Sequence, residues 1–304
     1  MKILILGAGG VGGYFGAKLM RAGADVTFVL RDKRRQLIRE KGLLIESPQE
    51  SFTVFPHCLG SGELAPDYDL IMLAPKAYDL DDALASIAGA GGKGVLLPFL
   101  NGLNHFALLD QRFGRERVMG GVAHIAAMLT GTGSVKRLSD LHSLTAGPRH
   151  AAHEALAREF IALCAGADFD GHYAENIEQV LWDKWVFLAT LAAATTLCQG
   201  TVGEIVATPW GADLTRKLYA ECCSVAERCG FAVGEAARGK ALAMLTQAGS
   251  AFTASMLRDM NAGQRTEHEH ILGEMVRRGM AQGVVCDLVA MAHTHMAVAS
   301  ARLS

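Results

Sequence analysis

An α/β domain followed by an all-helical C-terminal domain is the fold class that the sequence predicts. Three observations predict it. The chain opens on a short apolar run, Ile3–Leu6, that stops at a glycine and passes into a glycine-spaced helix start. Strand-like and helix-like segments then alternate as far as about residue 173, the pattern of a parallel sheet covered by helices. From Ala174 onward the apolar residues recur at helical spacing almost without a break. The expected domains are therefore 1–173 and 174–304.

Size and composition agree with that division. A chain of 304 residues is large for a single core, and with half its residues apolar and a fifth charged it has a globular make-up. A formal net charge of −2 argues against a nucleic-acid binder, whose footprint would be basic. No leader-like segment precedes the first strand. No uninterrupted apolar run reaches the roughly 20 residues of a membrane helix, the nearest being Val186–Leu197 with its three threonines. Cys58, Cys164, Cys198, Cys222, Cys223, Cys229 and Cys286 show no C-x-x-C pair and read as reduced thiols without a metal or redox role. No membrane partner is expected, and a cytoplasmic location is.

Taken in order, the first strand ends at Gly7. Gly7, Gly9 and Gly12 fall in the G-x-G-x-x-G spacing, with Gly16 one helical turn further on. In a Rossmann-type dinucleotide site the first glycine permits a tight turn. The second lets the backbone approach a pyrophosphate, and the third lets helix and strand pack closely. The helix start also offers unpaired N–H groups to the phosphates. The candidate cofactor loop is Gly7, Ala8, Gly9, Gly10, Val11 and Gly12. Gly10–Arg21 is then the first helix and Asp25–Leu30 the second strand. An NAD site usually carries an acidic residue at the end of that strand to hold the ribose 2′-OH. Here Leu30 is followed by Arg31 and further basic residues, which suits a 2′-phosphate and favours NADPH. Asp32 is the competing ribose ligand under a one-residue shift, and a solvated helix start is the plain alternative.

Gly42–Ser47 and Ser51–Phe55 read as strands around Pro48, and Gly60–Pro66 as loop. Tyr68–Leu73 is a buried strand that leads to Lys76 at its carboxyl end, where open α/β sheets bind ligands; an exposed loop lysine is the alternative. Asp79–Ile87 reads as helix, Gly89–Gly94 as a glycine-rich turn, and Gly94–Leu100 as the next parallel strand. That strand delivers Asn101-Gly102 to the same edge. Asn104–Phe113 is a helix and Arg117–Ala123 a strand. His124–Leu129, Gly133–Leu138 and Ser143–Ala146 read as a meander with turns at Gly131–Gly133 and Ser139–Asp140. Ala151–Ala165 is helical, and Asp168–Asp170 a short edge strand. The later helices are Asn176–Leu197, Trp210–Cys229, Gly234–Gln247, Gln264–Gly279 and Cys286–Ala301, with breaks at Gly200–Gly203, Gly230, Gly249 and Gly283.

Across nearly its whole length the chain resembles the ketopantoate reductases (2-dehydropantoate 2-reductases). The residues that carry the resemblance are the Gly7–Gly16 loop, Arg31, Ala74-Pro75-Lys76-Ala77-Tyr78 and Asn101-Gly102. In the second half they are Trp182-Asp183-Lys184-Trp185, Gly203-Glu204-Ile205, Ser255-Met256-Leu257-Arg258-Asp259 and Thr266-Glu267. The resemblance implies NADPH-dependent reduction of a 2-oxo acid to a 2-hydroxy acid, with ketopantoate and pantothenate biosynthesis leading. It implies Lys184 as general acid and Glu267 as its supporting carboxylate. Ser255 and Asn101 match substrate-binding groups, Asn101 and Lys76 lying at the cofactor–substrate edge. A homodimer is compatible with it, the sequence itself fixing no oligomeric state.

Elementary chemistry agrees with these roles. Hydride addition to a ketone builds negative charge on oxygen, so a cation or acid must stand beside it. Lys184 lies among Trp182, Trp185, Val186 and Phe187, a poor setting for an idle charge. Its alternative is a lysine on the helix's wet face beside Asp183 and Glu178. Ser255 has its own alternative, capping the helical turn that follows it. Glu267-His268-Glu269-His270 suggests a metal cluster, yet residues two apart do not share a helix face. By that argument neither His268/His270 nor His293/His295 makes a ligand pair, and no metal is expected.

One departure from the family pattern bears on the substrate. The family usually shows asparagines four and eight residues after the lysine, and these help bind the hydroxyl and keto groups of ketopantoate. Here those positions are Leu188 and Ala192. Sites built to hydrogen-bond a substrate group discriminate strongly, so the alternative is a related oxidoreductase on a more apolar 2-oxo or 3-oxo acid. A non-catalytic NADPH-binding sensor is the reading from a different class, and it has no use for Lys184, Glu267 and Ser255 together.

Overall fold

In the computed structural model, which describes residues 1–87 and 92–302, the opening apolar run forms β1 (Lys2–Leu6), buried from Ile3 to Leu6. The chain continues through α1 (Gly10–Arg21), β2 (Asp25–Val29), α2 (Asp32–Lys41), β3 (Leu43–Glu46), β4 (Ser51–Val54) and β5 (His57–Leu59). It goes on through β6 (Leu70–Leu73), α3 (Leu80–Ser86), β7 (Val95–Pro98), α4 (Asn104–Phe113), β8 (Gly120–Leu129), β9 (Val135–Gly147), α5 (Glu154–Cys164) and β10 (Asp170–Tyr173). Two compact units result, Met1–Leu100 with His105–Ile177 and Asn101–Asn104 with Glu178–Ser304. The glycine-rich turn expected at Gly89–Gly94 lies largely outside the described residues.

The first unit holds two sheets. One is all parallel, in the order β5-β2-β1-β6-β7. Strand order reverses between β1 and β6, so the turns after Leu6 and Leu73 flank a topological switch point, where such sheets bind ligands. The second runs β10-β9-β3-β4, with β8 pairing antiparallel to β9. Helix α1 packs on strands of both sheets, which is why every residue from Gly12 to Leu19 is buried. Full burial of Phe15 and Leu19 is worth about 1.5–3 kcal/mol each. Lys18, 3% exposed, is the one charge on that helix face, and it reaches Glu50 and Asp168 at the rim.

The structure corrects the sequence reading at several points. The expected meander is two long strands: β9 continues past Ser139–Asp140, and it is β9 that bulges there, residues 138–141 standing opposite Ala126 alone between the pairs Ile125–His142 and Ala127–Arg137. Arg137 makes the polar stretch of β9 tolerable, because its buried guanidinium is held by the Ser139 carbonyl and the Gln49 side chain. The edge strand is 170–173 and not 168–170, since Asp168 sits at φ 52° and cannot extend the strand. His57–Leu59, to which the sequence reading gave no element, add a parallel strand beside β2.

The second unit is helical: α6 (Ile177–Cys198), α7 (Val202–Val206), α8 (Gly211–Arg228), α9 (Glu235–Leu245), α10 (Ser255–Asn261), a π-helical turn (Glu269–Gly273), α11 (Glu274–Ala281) and α12 (Asp287–Ala301). The break expected at Gly200–Gly203 instead starts α7, through a capping box between Thr201 and Glu204. The helix expected over Gln264–Gly279 begins late, because residues 264–267 are non-helical and the π turn comes first. Helix α6, at 22 residues and a mean hydropathy of 1.2, is long and apolar enough to cross a membrane, but 67% of that window is buried inside the protein. Its apolar run is shorter than the helix, which tolerates Asp183 and Lys184. Thr190, Thr195 and Thr196 are buried there at no cost in unpaired hydroxyls, each donating to the carbonyl four residues back.

Candidate active site

On the first unit the glycine loop has the shape its spacing demands. Gly7 leaves β1 at φ 98°, a conformation that favours glycine. A Cβ on Gly12 would stand 2.2 Å from the Gly7 carbonyl oxygen and 3.2 Å from Ile5 and Ala74, so only a bare backbone lets α1 start here. Gly9 is the contrasting case: a Cβ there meets nothing within 4 Å, leaving open space over the helix start. The first turn of α1 carries no acidic side chain, so an approaching pyrophosphate meets helix N–H groups without a repelling charge. The loop therefore fits the dinucleotide that its sequence implies.

The basic run after β2 divides its tasks. Arg31 precedes α2 with its side chain 76% exposed, 3.8 Å from Asp79. Asp32, the competing ribose ligand, is 2.8 Å from Arg35. Arg34 is the residue that sequence reasoning missed: it donates to the Ala8 carbonyl at 2.9 Å and the Gly133 carbonyl at 2.6 Å, bracing the glycine loop from behind. Only the raised density of arginines hinted at it. Lys76 follows β6 at half-buried depth and precedes a short 3₁₀ turn, Ala77–Asp79.

On the second unit, three residues far apart in sequence meet. Lys184, on α6, donates to the Asn101 side-chain oxygen at 3.4 Å. The Asn101 amide nitrogen donates to Glu267 at 3.5 Å. Both bonds are long, and Asn101 stands between ammonium and carboxylate. Glu267 is 7% exposed; its carbonyl accepts from the amides of His270 and Ile271, which starts the π turn immediately after it. Gly102, at φ 76°, would drive a Cβ to 2.7 Å from the His270 carbonyl oxygen, so the Asn-Gly pair is what brings Asn101 this close. The enclosed setting of Lys184 pushes its pKa down to about 8, burial lowering it and Glu267 raising it back in part.

The flanking aromatics hold this arrangement. Trp185 donates its indole N–H to the Ile271 carbonyl at 3.1 Å, tying α6 to the π turn. Trp182 stacks on Phe231, and the Arg278 guanidinium lies over both indoles at 5.4 and 5.3 Å. Asp183 points elsewhere, bonded to Gln179. Ser255 is the first residue of α10, and Ala254 takes the cap position without a side-chain bond, so the capping alternative for Ser255 does not hold. Leu188 is half-buried and Ala192 wholly buried on α6.

A Rossmann-type unit opening on a glycine loop, followed by a helical unit with an enclosed lysine, defines a nicotinamide-dependent oxidoreductase acting on CH–OH groups. The family model for ketopantoate reductase PanE/ApbA matches residues 3–150, and the model for the PanE/ApbA C terminal matches 176–299. The chain belongs to the ketopantoate reductase family. An uncharacterized oxidoreductase, YkpB, of Bacillus subtilis (strain 168) is 34% identical over 283 residues, covering 91% of this chain and 92% of that protein. A 2-dehydropantoate 2-reductase of Archaeoglobus fulgidus is 28% identical, covering 94% and 93%. Among solved structures, a 2-dehydropantoate 2-reductase from Geobacter metallireducens GS-15 superposes with a TM-score of 0.84 at 27% identity, covering 98% and 100%. A D-mandelate dehydrogenase solved with NADH and anilino(oxo)acetate superposes at 0.89 and 22% identity, covering 100% and 99%, a likeness of fold.

Proposed function

We propose that this protein uses NADPH to reduce a 2-oxo acid to the 2-hydroxy acid, with ketopantoate, reduced to pantoate for pantothenate biosynthesis, as the leading substrate. The observation that carries the proposal is the Lys184–Asn101–Glu267 set, an enclosed ammonium bridged by an amide to a buried carboxylate. Bound NADPH supplies the hydride. Lys184 then stabilises the charge that develops on the ketone oxygen and gives it a proton. With a pKa of about 8, Lys184 is mostly charged at neutral pH and still acidic enough to release that proton. Asn101 fixes the ammonium, and Glu267 supports it and accepts from substrate. Ser255 offers a hydroxyl to the substrate from the start of α10, and Lys76 serves at the edge of the parallel sheet. Arg31, exposed directly after β2, is the group proposed for the 2′-phosphate, which is why NADPH is preferred to NADH.

Leu188 and Ala192 favour a second reading, in which the substrate is a more apolar 2-oxo or 3-oxo acid. Their side chains supply no hydrogen bonds where ketopantoate's hydroxyl would need them. The proposal carries a cytoplasmic location and a homodimeric assembly; the ketopantoate reductase of Staphylococcus aureus, 20% identical, is described as dimeric.

A panel assay following NADPH oxidation separates these readings. Ketopantoate, branched aliphatic 2-oxo acids and phenyl-substituted 2-oxo acids are compared by kcat/KM. The first reading expects ketopantoate to lead, and the second expects an apolar acid to lead by about tenfold or more. NADPH binding without turnover of any oxo acid would refute both.

A further inference from the structure

His268, Glu269 and His293 each bring a ligand atom to within 4.8 Å of the other two. Glu269 opens the π-helical turn, His268 precedes it, and His293 arrives from α12. The His293 Nε2 is 2.7 Å from Glu269 Oε1, and the His268 Nε2 is 3.8 Å from the same oxygen. Spacing within a single helix rules out His268/His270 and His293/His295 as pairs, but the fold assembles a set from two helices. We propose that these three side chains form a Zn²⁺ site.

Two imidazoles and one carboxylate are a ligand set that zinc takes when it keeps a fourth position for water. The groups around them are disposed to present these atoms. The His268 Nδ1 lies 2.9 Å from Thr266 Oγ1. With zinc bound, Nδ1 would donate to that hydroxyl and keep the Nε2 lone pair for the metal, as the outer partners of metal-bound histidines do. Arg277 holds Glu269 Oε2 at 3.1 Å and the Glu269 carbonyl at 3.0 Å, leaving Oε1 turned to the imidazoles. Its own charge is shared with Glu274, 3.2 Å from the Arg277 Nε, so the site is not left with an unshared competing cation.

Gly273 supplies an independent observation. A Cβ at that position would stand 2.8 Å from Glu269 Oε2, 3.0 Å from His293 Nε2 and 3.2 Å from the Arg277 Nη1 that holds Oε2. The last residue of the π turn is thus bare where the candidate ligands converge. Such wide turns within helices recur at functional sites. Tetrahedral zinc with bonds of about 2.0–2.1 Å sets its ligand atoms roughly 3.3 Å apart. The 2.7 Å separation must open and the 3.8 Å one close, each by about half an ångström. Binding replaces the hydrogen bond between His293 and Glu269. With Glu269 at 55% side-chain exposure and the histidines at 13% and 24%, an ion can enter and water can complete its shell.

The test is a titration of the tag-free, chelator-stripped protein with Zn²⁺ against a chromophoric chelator of micromolar affinity, without substrate or cofactor. One equivalent should compete with the chelator and raise the melting temperature. His268→Ala and His293→Ala should each lose that equivalent, and Thr266→Ala should weaken it about 10- to 100-fold. Glu269→Gln, nearly the same size, guards against loss through misfolding, and metal-free circular dichroism of each variant should match wild type. X-ray absorption should show nitrogen and oxygen neighbours only. Failure to compete, an equivalent that survives in the His268→Ala/His293→Ala double variant, or sulfur in the zinc shell would each overturn the proposal.

Discussion

Removing the Lys184 ammonium tests the proposed chemistry most directly. Lys184→Ala takes away the group that stands 3.4 Å from Asn101, and loss of a general acid typically costs about 10²- to 10⁴-fold in turnover. The pH profile sharpens this. With a pKa near 8, Lys184 is about nine-tenths protonated at pH 7 and about one-tenth at pH 9. Wild-type kcat/KM, which follows the free enzyme's pKa, should therefore be level below pH 7 and fall about tenfold by pH 9. Stability should move the other way. Lys184 titrates at about 8 when folded, against an ordinary lysine value of 10.5. Between those values the unfolded chain binds more protons, so this group's contribution to stability rises with pH. Declining turnover in a protein that is not melting is the signature. The assay is initial NADPH oxidation with the best oxo acid of the panel, run with thermal melts across the same pH range. NADPH binding by Lys184→Ala should be unchanged. The reasoning fails if Lys184→Ala keeps kcat within about threefold of wild type, or if its residual activity retains the alkaline limb near pH 8.

Three further perturbations probe other residues. Arg31→Ala should raise the Kd of NADPH by about 10- to 100-fold, the worth of a charge-assisted bond, and leave NADH nearly unchanged; equal weakening removes Arg31 from the 2′-phosphate role. Gly12→Ala and Gly9→Ala should part ways: the first forces a Cβ to 2.2 Å from a carbonyl oxygen and should cost about 1–3 kcal/mol of stability. The second meets nothing and should leave the melting temperature in place while weakening cofactor binding, and a melt that ranks the two alike contradicts the loop geometry. Leu188→Asn should shift the kcat/KM ratio toward hydroxylated 2-oxo acids by about tenfold, and an unmoved ratio places the substrate wall elsewhere.

The elements most readable in the sequence were those with one dominant signal. The first helix, Gly10–Arg21, begins and ends where glycine spacing and Ala22–Gly23 indicate. The strand pair β8 and β9 was less legible, because the turn chemistry of Ser139–Asp140 goes into a bulge of β9, held from inside by Arg137, and not into a chain reversal. The start of α7 was available in the Thr201-x-x-Glu204 spacing but lay behind the glycines around it. Lys184, Asn101 and Glu267 have no local relation at all. Their separations of 83 and 166 residues carry no periodicity, so family likeness pointed to them where spacing could not. The histidine–glutamate group escaped for the same reason, one of its members standing on another helix, and a π turn leaves no mark in a periodicity of 3.6.

The four residues Asn101–Asn104 belong to the second unit, although the chain on both sides of them belongs to the first. A cut after Ile177 would therefore not yield two independent pieces. A C-terminal fragment from Glu178 would keep Lys184 and Glu267 but lose the amide between them, and an N-terminal fragment would carry that amide with nothing to bridge. Swapping helical halves between relatives to change substrate preference must move this short loop together with the helices, or the transplanted lysine arrives without its bridging amide.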